Sequence, residues 1–246
     1  MRQIRVLFIV AGVLFGISGC KTHTPAPQSA AQPSSVPVST DMTAQSENPG
    51  PFPLADTAAQ TDHRPVLVCF GDSLTAGHGT DPGQSYPDYL QADLEARGYS
   101  YRVVNAGISG NTTKDGVERL DNVVALKPYA VVVEFGGNDG LRGVPIESSR
   151  ANLDKIISTL KATGAKVALA GITLPPNYGS DYINQFNATY TLLAKKYHVP
   201  LLPFILKGAY GVNGMMQSDQ VHATAAGNKI VAENVLSLVL PLLKKQ

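Results

Sequence analysis

The sequence is poor in tryptophan, cysteine and charge, and each shortage excludes a class of protein. The 246 residues include no Trp and two Cys, too few for a zinc ribbon or a disulfide framework. Charged residues make up 16% of the chain and nearly cancel, leaving a net charge of +1. The composition therefore gives no reason to expect nucleic acid or another polyanion as a partner. With 43% hydrophobic residues, the chain has the composition of a globular protein of one or two domains.

The amino-terminal segment has the pattern of a bacterial export signal. Two arginines precede the apolar stretch of residues 6–17, which is long enough for a signal-peptide core and too short to span a membrane. The stretch ends in Ile17-Ser18-Gly19-Cys20, which resembles a lipobox, the signal after which cysteine becomes the lipidated first residue of the mature protein. We predict a lipoprotein signal peptide over residues 1–19 and a lipid anchor at Cys20. A plain secretory signal with a chance cysteine is the alternative.

Lipidation at Cys20 would attach the protein to a membrane of the cell envelope, facing the periplasm if the source is a Gram-negative bacterium. Lys21 follows in place of an aspartate, which favours the outer over the inner membrane. With Cys20 lipidated, Cys69 is the single free thiol, so no disulfide can form within the chain. Cys69 lies in an apolar run with no neighbouring Cys or His, which indicates a buried packing role.

A change of composition near residue 64 divides the chain. Residues 20–63 are rich in Pro, Ser, Ala, Thr and Gln, and they bury too little apolar surface to offset the entropy of ordering. We predict a disordered tether there. In residues 64–246, strand-length apolar runs alternate with helix-length amphipathic segments, which predicts βαβ units around a parallel sheet. The predicted strands are Val66–Phe70, Tyr101–Asn105, Tyr129–Phe135, Lys166–Gly171 and Val199–Pro203, and the predicted helices are Tyr86–Arg97, Thr112–Leu126, Ile146–Thr163, Asp181–Tyr197 and Ala223–Leu240. The fold class is therefore α/β: one three-layer α/β/α domain with a doubly wound parallel sheet of about five strands.

The first predicted strand leads into a serine that is placed for nucleophilic chemistry. The run Val66–Phe70 stops at Gly71, and Ser73 follows at the carboxyl end of the strand, where ligands bind in open α/β sheets. Near the other end of the chain, Asp219 and His222 place a carboxylate and an imidazole three positions apart. That spacing lets the carboxylate orient the ring, so that the other ring nitrogen takes the serine proton. We predict Ser73 as nucleophile, His222 as base and Asp219 as the orienting acid.

Four short motifs resemble the blocks that define the SGNH (GDSL) hydrolase family. They are Gly71-Asp72-Ser73-Leu74, Asn105-Ala106-Gly107-Ile108-Ser109-Gly110-Asn111, Gly136-Gly137-Asn138-Asp139-Gly140 and Asp219-Gln220-Val221-His222. The resemblance implies a flavodoxin-like strand order. It also implies an oxyanion hole made by the backbone N–H of Ser73, the backbone N–H of Gly107 and the side-chain amide of Asn138. It implies neither a metal ion nor an organic cofactor.

Further stretches resemble the branch of that family with acyl-CoA thioesterase, arylesterase and lysophospholipase activities. One is Leu174-Pro175-Pro176-Asn177-Tyr178-Gly179, and another is Met215-Met216-Gln217-Ser218-Asp219. In this branch the loop at residues 175–182 borders an acyl groove, so the resemblance implies substrate contacts for Pro175, Asn177 and Tyr178. His78 is a further candidate for substrate contact. Gln220 and Ala223 replace a glycine and a proline common in the last motif, which leaves the catalytic residue types in place but puts the stiffness of that loop in question.

These features predict a serine ester hydrolase that works through an acyl-enzyme. The predicted substrates are small-molecule carboxylic esters of short to medium chain length, including aryl esters, thioesters and lysophospholipids, and a monomer is the expected form. A carbohydrate O-acetyl esterase is the alternative within the enzyme class. The alternative outside it is a lipoprotein that binds acyl groups or a partner without catalysis, which the presence of Ser73, Asn138 and His222 disfavours.

Overall fold

The computed structural model describes residues 62–245 of the chain. The signal peptide predicted over residues 1–19, the lipid anchor predicted at Cys20 and nearly all of the tether predicted over residues 20–63 lie outside the described residues.

Five parallel strands form one sheet in the order β2-β1-β3-β4-β5. The strands are β1 (Val66–Gly71), β2 (Arg102–Gly107), β3 (Ala130–Glu134), β4 (Lys166–Ala170) and β5 (Leu201–Leu202). Every residue of β1 and of β3 is buried, as expected for neighbouring strands inside a sheet that is covered on both faces. The α/β class, the parallel sheet and the flavodoxin-like strand order are therefore confirmed.

Helices connect the strands and pack in two groups. They are α1 (Ser73–Ala76), α2 (Tyr86–Ala96), α3 (Thr113–Glu118), α4 (Leu120–Ala125), α5 (Gly137–Leu141), α6 (Ile146–Ala162), α7 (Ser180–Tyr197) and α8 (Ala225–Val239), with short 3-10 helices at Pro176–Tyr178 and Leu240–Leu242. Helix α2 packs on α8, while α6 packs on α3 and α7. Side-chain hydrogen bonds cap the amino-terminal ends of some helices. Ser85 and Asp88 form a reciprocal capping box at α2, and Thr112 and Asp115 form one at α3.

The prediction of one helix over Thr112–Leu126 is wrong, because the helix breaks at Arg119. This side chain is almost fully buried and turns inward to the strand ends, where its guanidinium donates to the carbonyls of Gly71 (2.7 Å) and Ala106 (2.8 Å). It also lies over the ring of Phe70, 4.5 Å from the centroid. Arg119 thus ties the carboxyl ends of β1 and β2 together, at the edge of the sheet that carries the predicted site.

The fifth strand is shorter than the predicted Val199–Pro203. Proline lacks the N–H that a strand interior needs, and Pro200 and Pro203 flank the two residues that pair with β4. His198, just before the predicted strand, ends α7 in a left-handed conformation, with φ at 51°. Cys69 is fully buried in β1, as predicted, and burial raises the pKa of its thiol to about 12. Within residues 62–245, no helix has both the length and the apolar character needed to cross a membrane.

Candidate active site

Ser73 lies where β1 passes into α1. Asp72 caps this short helix by accepting the N–H of Leu74 on its Oδ1 (3.1 Å), and Ser73 is the first helical residue. As a first residue, Ser73 leaves its own N–H without an intrahelical acceptor. The turn therefore presents both the hydroxyl and the N–H of Ser73 at the carboxyl end of the sheet.

Ser73, His222 and Asp219 form one chain of hydrogen bonds. The Nε2 of His222 lies 2.8 Å from the Ser73 Oγ, and its Nδ1 lies 2.7 Å from the Asp219 Oδ2. Because an ionised carboxylate only accepts, Nδ1 carries a proton and Nε2 is left to accept from the hydroxyl. The structure thus brings together the three residues predicted as nucleophile, base and orienting acid.

The Asp219 carboxylate is held in its charged form by local donors. Burial raises its pKa, but the hydrogen bonds from the His222 ring and from the backbone N–H groups of His222 (3.0 Å) and Val221 (2.9 Å) outweigh burial and lower the pKa to about 2. Asp219 therefore stays ionised at neutral pH. The Asp219 Oδ1, which accepts both backbone N–H groups, also fixes the backbone that carries His222.

Backbone hydrogen bonds join the two ends of the loop that carries Asp219 and His222. Met216 and Ala223 pair as an antiparallel bridge, and the N–H of Gln217 donates to the carbonyl of His222 (2.8 Å). The Gln217 side chain donates to the carbonyls of His78 (2.7 Å) and Ala223 (2.9 Å), which joins this loop to the one after α1. Gln220 has a positive φ of 57° in this loop. Glycine adopts that conformation at lower cost. Gln220, in place of the glycine common in this motif, therefore strains the loop, but the hydrogen bonds that close the loop are still made.

A cavity of about 480 Å³ opens beside Ser73 and His222. Its walls are mostly apolar side chains from several loops: Leu74, Leu141, Ile172, Leu174, Pro175, Pro176, Phe204, Leu206, Tyr210 and Val221. The polar residues of its lining include Ser73, Asp72, Asn138, Asp219 and His222. A mostly apolar cavity with a few convergent polar groups is the usual form of a small-molecule site.

Only one of the three residues predicted to contact substrate lines this cavity. Pro175 does, whereas Asn177 and Tyr178 do not, and substrate contact by these two stays a prediction. The Tyr178 hydroxyl instead donates to the carbonyl of Leu141 (3.2 Å), and its ring stacks on Tyr182. Tyr178 therefore fixes the path of the loop.

His78 lines the cavity, as the sequence suggested. Its ring centroid is 4.6 Å from that of His222, and its Nδ1 lies 3.3 Å from the Ser109 hydroxyl. A second imidazole therefore lies beside the base.

The structure contradicts Gly107 as an oxyanion donor. Its N–H donates to the Oδ1 of Asn105 (2.9 Å), and Gly107 is not part of the cavity wall. The glycine is needed for packing, since a Cβ there would lie 2.2 Å from the backbone N of Ala76 in α1. Gly110 does line the cavity, and its N–H has no hydrogen-bond partner among residues 62–245. Gly110 is therefore the better candidate.

Asn138 lies at the start of α5 and lines the cavity, as predicted. Its Nδ2 donates to the Asp72 Oδ2 (3.2 Å) and to the carbonyl of Asn111 (3.0 Å). Both amide hydrogens are therefore engaged, so donation to an oxyanion requires one of these bonds to be shared or exchanged. The next residue, Asp139, is structural: it accepts the N–H of Thr113 (2.9 Å) and the Ser149 hydroxyl (3.0 Å).

Sequence reasoning missed the residues whose importance depends on the folded arrangement. Gly110 lies in the same motif as Gly107, and only its place in the cavity wall and its free N–H distinguish the two glycines. The helical pattern of residues 112–126 likewise gives no sign that Arg119 turns inward and breaks the helix. Within residues 62–245, no three His, Cys, Asp or Glu side chains cluster so that they could hold a metal ion.

Comparison with known proteins agrees with this geometry. Residues 69–230 match the GDSL-like Lipase/Acylhydrolase family. The chain belongs to this GDSL (SGNH) hydrolase family. Esterase TesA of Pseudomonas aeruginosa, a GDSL relative, is 46% identical over 187 residues, which cover 76% of this chain and 90% of that protein.

Two other GDSL hydrolase relatives carry related names. Thioesterase 1/protease 1/lysophospholipase L1 of Escherichia coli is 36% identical, over 72% of this chain and 84% of that protein. An arylesterase of Vibrio mimicus is 38% identical, over 69% and 85% respectively. A crystal structure of TesA superimposes with a TM-score of 0.70 at 45% identity, covering 72% of this chain and 99% of that chain. The predicted family, fold and enzyme class, an ester hydrolase of the GDSL type, are confirmed.

Proposed function

We propose that this GDSL hydrolase cleaves carboxylic esters through an acyl-enzyme on Ser73. The Ser73 Oγ forms a bond to the acyl carbon while its proton passes to the His222 Nε2, 2.8 Å away. His222 then gives that proton to the leaving oxygen or sulfur as the bond to the acyl carbon breaks. Water, deprotonated by His222, releases the acid and restores the serine. The hydrogen-bond chain from Asp219 to Ser73 at the mouth of an apolar cavity is the observation that carries this proposal.

Negative charge on the acyl oxygen needs donors aimed at the Ser73 end of the cavity. The N–H of Ser73 and the N–H of Gly110 are without partners among the described residues, and the Asn138 amide lies beside them. We assign these three groups to the oxyanion. Removal of one such donor commonly lowers kcat by about 10²–10³.

The cavity favours acyl groups longer than acetyl. Its volume of about 480 Å³ and its apolar walls far exceed what an acetyl group fills. Each methylene buried there is worth about 0.8 kcal/mol, or roughly a fourfold gain in kcat/KM. We therefore favour medium-chain aryl esters, thioesters or lysophospholipids over acetylated carbohydrate. The named activities of the relatives, esterase, arylesterase and thioesterase/lysophospholipase, support this class of substrate.

Two measurements test the proposal. A fluorophosphonate probe should label the wild type and the control S148A, which changes an exposed serine of α6, but not S73A. S73A should remain folded and lose several orders of magnitude in kcat. In a series of p-nitrophenyl esters, kcat/KM should rise from acetate to octanoate, while acetylated xylan should release little acetate. Absence of labelling would favour the non-catalytic binding lipoprotein, and a preference for acetylated glycan would favour the O-acetyl esterase.

We further propose that the enzyme acts in the cell envelope, held to a membrane through lipid on Cys20. The motif Ile17-Ser18-Gly19-Cys20 and the Pro/Ser-rich segment after it support this location. Such a site would put membrane-derived and incoming esters within reach, while acyl-CoA remains in the cytosol. Radiolabelled palmitate should enter the wild type and not C20S, and cell fractionation should move C20S out of the membrane fraction.

A further inference from the structure

Glu134, the last residue of β3, is a fully buried carboxyl group next to the nucleophile turn. Its Oε2 accepts the Thr75 hydroxyl (2.9 Å) and faces the backbone N–H of Asp72 (3.4 Å). This oxygen occupies the space that a side chain at residue 71 would need, since a Cβ on Gly71 would lie 2.5 Å from it. The Glu134 carboxyl therefore leaves no room for a side chain at position 71.

The surroundings of Glu134 suit a neutral carboxylic acid. Within residues 62–245, Glu134 takes part in no ion pair, and no donor reaches its Oε1. An ionised carboxylate there would be buried with one oxygen uncompensated, which is costly. Burial raises the pKa of Glu134 well above its ordinary value, and the charge of Asp72 raises it further.

Asp72 is the second member of this buried pair. Burial raises its pKa to about 6, whereas hydrogen bonds from the Leu74 N–H, from Asn138 and from Glu134 act to lower it. Two adjacent buried carboxyls cannot both ionise without repulsion, so one proton stays on the pair. It belongs on Glu134, because Asp72 has donors on both oxygens, from Leu74 N–H (3.1 Å) and Asn138 Nδ2 (3.2 Å).

Other polar groups face the pair from every side. Thr75 of α1 donates to Glu134 and lies 3.1 Å from the Tyr86 hydroxyl of α2. Tyr190 of α7, whose hydroxyl donates to the carbonyl of Phe135, lies close enough to interact with both carboxyls. The nearby cations are Arg119, between α3 and α4, and His222 when protonated, and each interacts with Asp72. These surroundings place the pair's negative charge nearest the base and the oxyanion donor.

We propose that Glu134 is a positioning residue of the esterase, which holds the proton of the Asp72–Glu134 pair so that Asp72 can fix the Asn138 amide and the Ser73 turn. Glu134 touches no substrate: it acts through the Asp72 backbone and carboxylate. The kinetic part of this inference rests on the proposed function, whereas the location of the proton does not.

The proton assignment is tested by stability against pH. An unfolded glutamate ionises near pH ~4.3, so at higher pH the wild type must retain a proton on folding that the unfolded chain releases. E134Q, which needs no such proton, should gain in Tm relative to wild type as pH rises from about 4 to 8, with no growing difference below pH 4. E147Q, at an exposed glutamate of α6, should show no such trend. A Tm difference between E134Q and wild type that stays flat across this range would overturn the assignment.

The positioning role is tested by kinetics on a medium-chain ester at neutral pH. E134Q should keep kcat within about threefold of wild type, because a neutral amide can still accept from Thr75 and donate to Asp72. E134L, which cannot hydrogen-bond, should lose at least 30-fold in kcat with KM within twofold. Loss of kcat in E134Q as large as in E134L would show that a charged carboxylate is needed and would overturn the proposal, as would full activity of folded E134L. If E134L does not fold, E134Q alone decides both parts. Absence of Ser73-dependent hydrolysis in the wild type would instead refute the proposed function, and the Tm series would still decide whether the pair holds a proton.

Discussion

Replacing Asp219 by asparagine changes the chemistry of the site while leaving its shape almost intact. In D219N, the amide oxygen can keep the two backbone N–H groups of Val221 and His222, at 2.9 and 3.0 Å. The amide nitrogen then faces the His222 Nδ1, which is 2.7 Å from the oxygen it replaces. Because that nitrogen is a donor, it favours the tautomer that carries its proton on Nε2, the atom facing Ser73. A protonated Nε2 cannot accept the serine proton, so we expect kcat to fall by about 10⁴, or roughly 5.5 kcal/mol, with little change in KM.

Ester hydrolysis and unfolding measured on the same samples separate this effect from simple damage. D121N, at an exposed aspartate of α4, is the matched control and should keep wild-type kcat. The lowered pKa of Asp219, about 2, means that its carboxylate stabilises the fold above pH 4 and that this contribution is lost as the pH falls toward 2. D219N should lose that acid-side dependence of Tm. If D219N folds normally and retains more than a tenth of wild-type kcat, Asp219 does not orient the base.

Three further substitutions test other parts of the site. Asn138→Ala should lower kcat by about 10²–10³ with little change in KM, and a collapse of Tm with full kcat in the folded fraction would make Asn138 a structural residue only. Gly107→Ala should lower Tm sharply, since its Cβ would lie 2.2 Å from the Ala76 backbone and overpacking costs about 1–3 kcal/mol; an unchanged Tm would contradict the packing role. Gln220→Gly should raise Tm by a few degrees at unchanged kcat, because relief of about 1–2 kcal/mol of left-handed strain exceeds the entropic cost of a glycine, and thermal melting with an ester assay measures both.

The sequence predicted correctly those features that depend only on residues close together in the chain. The apolar run before Gly71 predicted β1, and the spacing of Asp219 and His222 predicted their contact, since both depend on local geometry. It failed where distant segments decide the outcome. The apolar run Tyr129–Phe135 predicts a strand through Glu134, but only the fold shows that this carboxyl lies against Gly71 of β1 and Thr75 of α1.

The residues that line the cavity could not be predicted from the sequence either. Ile172, Leu206 and Tyr210 read as ordinary apolar positions, yet the paths of three loops bring them together as walls beside Ser73. Tyr178 lies in the loop that the family resemblance pointed to, but its ring and hydroxyl contact Tyr182 and Leu141. Loop paths depend on contacts between distant segments, so periodicity could not predict them.

The sequence separation of 149 positions between Ser73 and His222 also determines when, during synthesis, the enzyme can first act. All five strands and the Asn138 donor precede His222 in the chain, so a nascent or clipped polypeptide that stops before the last loop holds a nucleophile without its base. Such a fragment lacks the base that the proposed mechanism needs to activate Ser73. Catalysis therefore begins only after synthesis has passed residue 222 and the bridge between Met216 and Ala223 has closed.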